Sequence, residues 1–149
     1  MSATIASHRA AVARAVPARL GWTLRFAGAA LSFGVYWIHV QDQGGFPGNN
    51  TGWMRPGYYA LEVAAVLVAI ALMIANGRLL RRAWLLAAGV ALGPMVGYIL
   101  TRSTGLPGDM DDKGNWTQPL GLLSLAVEGV LLVLALLMLR RVTSPGRPD

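Results

Sequence analysis

Four ionisable residues lie within or at the ends of long apolar runs: His39, Glu62, Arg102 and Glu128. Holding charge in hydrocarbon is costly, so such groups turn toward protein and take partners there. Counting 1.5 Å per helical residue, Glu62 lies about 8 Å and Glu128 about 13 Å along their runs. Arg102 is the natural partner of Glu128, and His39 and Tyr98 are within reach of either carboxylate. Asp109, Asp111 and Asp112 could close the cluster from above. Two chemistries fit. One is a polar pocket for a cation, a proton or a small polar molecule; the other is a hydrogen-bonded network that fixes helix packing.

More specialised chemistry finds little support in the spacing. A bis-histidine haem needs two embedded histidines, and His8 lies in the N-terminal tail. The Glu-x-x-His pairs of bundle-type di-iron sites are missing from the sequence. One His and two Glu could hold a divalent ion, but they come from three separate helices. Asp109-Met110-Asp111-Asp112 resembles a fragment of a calcium loop without its twelve-residue pattern. The acidic run therefore reads first as a solvated loop. Asn49-Asn50-Thr51 and Asn115-Trp116-Thr117 fit the glycosylation pattern, which arises often by chance. Ser103 and Thr104 have no base arrangement around them beyond a single histidine, so no catalytic residues, metal or cofactor are assigned. The chain contains no cysteine, which excludes thiolate chemistry and disulfides.

The elements that must position these residues follow from composition. Of 149 residues 54% are hydrophobic and 13% charged, against about 25% charged in soluble domains. A lipid bilayer is the implied solvent. Residues 20–40 form an apolar run of 21 residues, about the length needed to span hydrocarbon, followed by Gln41-Asp42-Gln43 rather than a cleavage site. It reads as a retained first transmembrane helix, with Arg25 snorkelling to the headgroups and Tyr36 and Trp37 in the interfacial belt. Further helices are expected at about 57–76, 83–100 and 119–139, with tails at 1–19 and 140–149. Gly77 to Arg82 reads as a tight basic turn. Gly93 and Gly97 have the spacing that lets helices approach closely in lipid, and Pro94 predicts a kink.

Basic residues set the topology. Arg9, Arg14, Arg19, Arg25, Arg78, Arg81, Arg82, Arg140, Arg141 and Arg147 fall on one side, and only Arg55, Arg102 and Lys113 on the other. The positive-inside rule places both termini in the cytoplasm and both long loops outside. Flanking groups of this kind set orientation and do not form a nucleic-acid patch. The two loops also share landmarks: Gly45-Phe46-Pro47-Gly48, Trp53, Pro56 and Glu62 recur in order as Gly105-Leu106-Pro107-Gly108, Trp116, Pro119 and Glu128. That order predicts two duplicated hairpins related by an axis along the membrane normal.

The run Thr101-Arg102-Ser103-Thr104-Gly105-Leu106-Pro107-Gly108, with Asp111-Asp112, Gly114-Asn115-Trp116, Pro119-Leu120-Gly121-Leu122 and Glu128, carries a resemblance. It is similar to small four-helix integral membrane proteins of high-GC Gram-positive, actinobacterial type, with a (Ser/Thr)-Arg-(Ser/Thr)-x-Gly-Leu-Pro-Gly turn before the last helix. The resemblance covers residues 98–130 and implies that the Arg102 turn and Glu128 are the group's signature. It brings no activity with it. The expected fold is thus an all-α membrane protein of four transmembrane helices in a bacterial plasma membrane. The expected function is a non-enzymatic accessory or envelope-associated protein with an outward-facing polar cluster. The other reading is a small-solute or ion-binding or transport protein acting as an oligomer. Its partners would be lipid and a second copy or another membrane protein.

Overall fold

The computed structural model describes residues 18–49, 52–107 and 110–142. The tails at 1–17 and 143–149, and Asp109, lie outside the described residues. The described residues form four helices: α1 (Ala18–Asp42), α2 (Met54–Ile74), α3 (Gly77–Ser103) and α4 (Pro119–Val142). Each helix packs on its neighbours in the ring α1–α2–α3–α4, and α1 also touches α3 across the diagonal while α2 and α4 stay apart. One end of the bundle carries the long connections between α1 and α2 and between α3 and α4. The other carries the short connection at Ala75-Asn76.

Alpha1, α3 and α4 outrun the expected spans, whereas α2 is shifted, starting three residues early and ending two residues early at Ile74. Alpha2 begins at Met54 and holds Pro56 in its first turn, where the missing N–H has no intrahelical acceptor to lose. The expected basic turn at 77–82 is instead the start of α3. Gly77 reverses the chain at φ 54°, a conformation favourable only to glycine, and Arg78, Arg81 and Arg82 already belong to the helix. Alpha3 passes through Pro94 without ending.

Alpha2, α3 and α4 are each long and apolar enough to cross a membrane, and α1 is not, because polar residues dilute its composition. Those residues point inward. Arg25, Ser32 and His39 recur every seventh residue and are all buried. The exposed face of the same helix carries Trp22, Phe26, Phe33 and Trp37.

Arg25 corrects the sequence reading most directly. It does not snorkel outward; its Nε–H donates to the Leu72 carbonyl at 2.7 Å and its Nη2 group donates to those of Met73 at 3.3 Å and Ala75 at 2.5 Å. The guanidinium thereby satisfies carbonyls that the end of α2 leaves open, and its charge opposes the negative end of the helix dipole. The Trp22 ring covers it at 4.3 Å.

Close packing is concentrated beside this cap. Trp84 of α3 is fully buried and lies against Gly28 of α1, where an added Cβ would stand 2.6 Å from the indole. The Gly93–Gly97 pair does the opposite of what its spacing predicts. A Cβ at either position meets nothing within 4 Å, so no helix packs there.

Two expectations follow for equilibrium unfolding in mixed micelles. Arg25→Ala should cost on the order of 2–3 kcal/mol, and Arg25→Lys should restore only part, since a compact ammonium cannot fork over several carbonyls. Gly28→Ala should cost about 1–3 kcal/mol by overpacking. Combined with Trp84→Phe it should cost less than the two changes summed; strict additivity would show that the contact does not set the packing.

Candidate functional site

The site is built at the loop end, where both helix exits are closed by glycine. The Gly45 N–H donates to the Val40 carbonyl at 2.8 Å, and the Gly105 N–H to the Leu100 carbonyl at 3.0 Å. Gly45 and Gly105 both have positive φ, as such caps require. The second loop is closed again by the Gly114 N–H, which donates to the Arg102 carbonyl at 2.9 Å. The loops are joined by Trp53, whose indole N–H donates to the Pro107 carbonyl at 2.8 Å.

Beneath them lies a cavity of about 380 Å³ lined by all four helices and both loops. This is within the size range of small-molecule pockets. His39, Arg102 and Glu128 line it together with Tyr98 and Asp112. Gly57, Gly93, Gly97 and Gly121 occur along its walls, and Gly93 and Gly97 leave room by lacking side chains.

The expected cluster is divided into three. Arg102 does not pair with Glu128. Its Nη1 donates to Asp112 at 2.7 Å and to Thr101 Oγ1 at 2.7 Å, and its Nη2 donates to Gln118 Oε1 at 2.6 Å. Its guanidinium also lies over the Tyr98 ring at 4.5 Å. Tyr98 in turn is fixed by its hydroxyl, which donates to the Trp116 carbonyl at 2.8 Å, and by the bare Cα of Gly121.

Glu128 keeps different company. The Ser124 hydroxyl, one turn earlier on α4, donates to its Oε1 at 2.5 Å. His39 Nε2 stands 3.9 Å from the same oxygen, beyond hydrogen-bond length. The other imidazole nitrogen, Nδ1, donates to the Val35 carbonyl at 2.9 Å, which orients the ring. Glu128 Oε2 and Arg102 Nε are both buried and have no hydrogen-bond partner among the described residues. The side chains themselves are only 1% and 7% exposed.

Glu62 is not part of this cavity. It is buried under the first loop, where the Gln43 amide donates to its Oε1 at 2.5 Å. The divalent set of His39, Glu62 and Glu128 is therefore not assembled, and among the described residues no three acidic or histidine groups converge as metal ligands. Asp111 is exposed and does not line the cavity, so of the two described loop aspartates only Asp112 closes the site.

Sequence reasoning missed Gln43, Thr101, Gln118 and Ser124. Ser124 could have been found from its i, i+4 relation to Glu128. Gln118 carries no signal beyond preceding Pro119. Compared with known protein families, curated proteins and solved structures, the chain gives no match.

The separation of Arg102 from Glu128 has an energetic signature. Arg102→Gln and Asp112→Asn should couple by about 0.5–3 kcal/mol in a double-mutant cycle, whereas Arg102→Gln and Glu128→Gln should add to within about 0.5 kcal/mol. Strong coupling in the second cycle would show that the guanidinium does reach the α4 carboxylate.

Proposed function

We propose that this chain is a non-enzymatic multi-pass membrane protein that binds a small solute in its loop-end cavity, on the outer side of a bacterial plasma membrane. Four buried polar atoms lack a partner among the described residues, and the observation that carries the reading is that two of them, Glu128 Oε2 and Arg102 Nε, belong to residues lining one cavity. Most buried polar groups are paired, because an unpaired one in a dry interior is costly. Arg25 is of the packing kind and closes a helix end, whereas Gln43 ties the first loop to Glu62 and, like Trp84 Nε1, leaves a buried atom unpaired outside the cavity. Glu128 and Arg102 retain hydrogen-bonding capacity on side chains that line a space a solute can fill.

A fourth span is supported by the arrangement of α1. Its polar residues are buried against the bundle and its exposed aromatic face suits lipid. Orientation with both termini cytoplasmic is supported by Arg19, Arg78, Arg81, Arg82, Arg140 and Arg141 at the short-turn end. Duplication of the two hairpins is supported by the matching glycine caps at Gly45 and Gly105 and by the ring order, in which α1 meets α4 as α3 meets α2. A plasma-membrane location rests on the resemblance of residues 98–130. Four helices leave little room for a transport path, so transport would require a second copy of the chain.

Because the chain contains no cysteine, single-cysteine variants report topology cleanly. In intact cells Lys113→Cys should react with an impermeant maleimide, and Asn76→Cys only after permeabilisation; the reverse pattern would overturn the orientation. For binding, a solute screen by thermal shift should find compounds that raise the melting temperature of the wild type but not of Gly97→Leu. That substitution meets no neighbour at Cβ and fills the cavity. A flat screen, or equal shifts in both proteins, would remove the binding reading.

A further inference from the structure

Resting on the binding reading above, we infer that the solute is an organic monocation: an ammonium group carried on an apolar, partly aromatic body, with Glu128 as its counter-ion. The charges around the cavity support this. Asp42 from α1, Asp112 from the second loop and Glu128 from α4 face one guanidinium, Arg102 from α3. Asp112 is matched directly by Arg102. Asp42 is exposed at the rim and accepts a hydrogen bond from the Tyr58 hydroxyl. Glu128, the most deeply buried of the three, is not matched by Arg102; among the described residues only the His39 imidazole stands within ion-pair distance of it, at 3.9 Å.

His39 matches that charge only if it carries a second proton, and it makes no hydrogen bond to the carboxylate. Its Nδ1–H is committed to the Val35 carbonyl, and its Nε2 stands too far from Oε1 for a hydrogen bond. Oε1 is already engaged by Ser124, so the bond left to be made is at Oε2.

The walls select the rest of the ligand. Trp53, Tyr58 and Tyr98 line the cavity, and aromatic faces attract organic cations that have shed water. Leu61, Leu106 and Leu120 supply apolar surface that a bare metal ion would not use. Metal ions of the alkaline-earth type also need several converging oxygens, and the described residues offer no such group. An anion finds the one guanidinium of the cavity already neutralised by Asp112. The free Arg102 Nε–H remains as a single donor for an ether, hydroxyl or carbonyl oxygen on the same ligand.

The test is a charge series on one shape, read by thermal shift and titration on the full chain in detergent. Benzylammonium, whose N–H groups can donate to a carboxylate, is compared with its neutral carbon isostere, ethylbenzene, and with phenylacetate. The cation should stabilise the wild type and the other two should not. Glu128→Gln should weaken the cation about tenfold or more. Glu62→Gln, whose carboxylate lies outside the cavity, should bind it as the wild type does.

Equal or greater stabilisation by the neutral or anionic compound would overturn the charge assignment. If Gly97→Leu abolished that stabilisation, the cavity reading would stand without it. A cation that binds Glu128→Gln undiminished would also overturn the inference. Equal binding of the cation to Gly97→Leu would place it elsewhere and remove both readings. Should Glu128→Gln fail to fold, the ligand series on the wild type still decides, since it needs no variant. No response to any of the three compounds would reject the inference, and the broader solute screen would judge the cavity separately.

Discussion

The bundle depends on the contact between Trp84 and Gly28. A large indole on α3 needs the opposing backbone of α1 at van der Waals distance, and only a residue without Cβ allows it. That contact draws α1 and α3 together across the diagonal, which keeps α2 and α4 apart. Beside it the Arg25 guanidinium closes the end of α2, so the short-turn end is filled with apolar volume and its open helix carbonyls are satisfied. The loop end has no such wedge. Gly93 and Gly97 face open space there. A four-helix ring that is filled at one end and lined with glycine at the other leaves a cavity at the second.

The embedded polar residues divide according to what remains after packing. Arg25 satisfies three carbonyls of a helix end, and Gln43 ties the first loop to α2 through Glu62. Removing either would open a helix end or a loop. Arg102 organises the second loop by holding Asp112 and Gln118, yet retains one buried donor. Glu128 holds nothing in place beyond Ser124. Its carboxylate stabilises no loop and caps no helix, which separates it physically from the other embedded charges.

The helices were legible in the sequence because apolar runs of about 20 residues leave little choice of structure. Their ends were less so. Arg78, Arg81 and Arg82 read as a turn because charge marks the edge of an apolar run, whereas helix hydrogen bonding continues past that edge into water. Arg25 was misplaced for a related reason. Position along a helix shows how deep a residue lies, but the side chain's direction is settled by which neighbour packs there. His39, Arg102, Glu128, Tyr98 and Asp112 line one cavity, but their pairing was not visible in the sequence. Asp112 lies ten residues from Arg102 and reaches it only because the Gly114 N–H folds the loop back onto the Arg102 carbonyl. The glycine pair at 93 and 97 shows the same limit, since identical spacing suits a helix contact or a cavity wall.

The proposed duplication explains why one glutamate is satisfied and the other is not. Along the 60-residue offset that aligns Gly45 with Gly105, Gln43 corresponds to Ser103. Gln43 is long enough to reach inward to Glu62, and it is buried doing so. Ser103 is short and exposed, and its hydroxyl donates to the Ile99 carbonyl of its own helix. The second half therefore lacks the amide that occupies the carboxylate in the first. Arg102, adjacent to Ser103, is held by the loop aspartate and does not replace it. On the proposed duplication, the first hairpin keeps its glutamate as a structural tie, and the second leaves Glu128 Oε2 without a hydrogen-bond partner among the described residues.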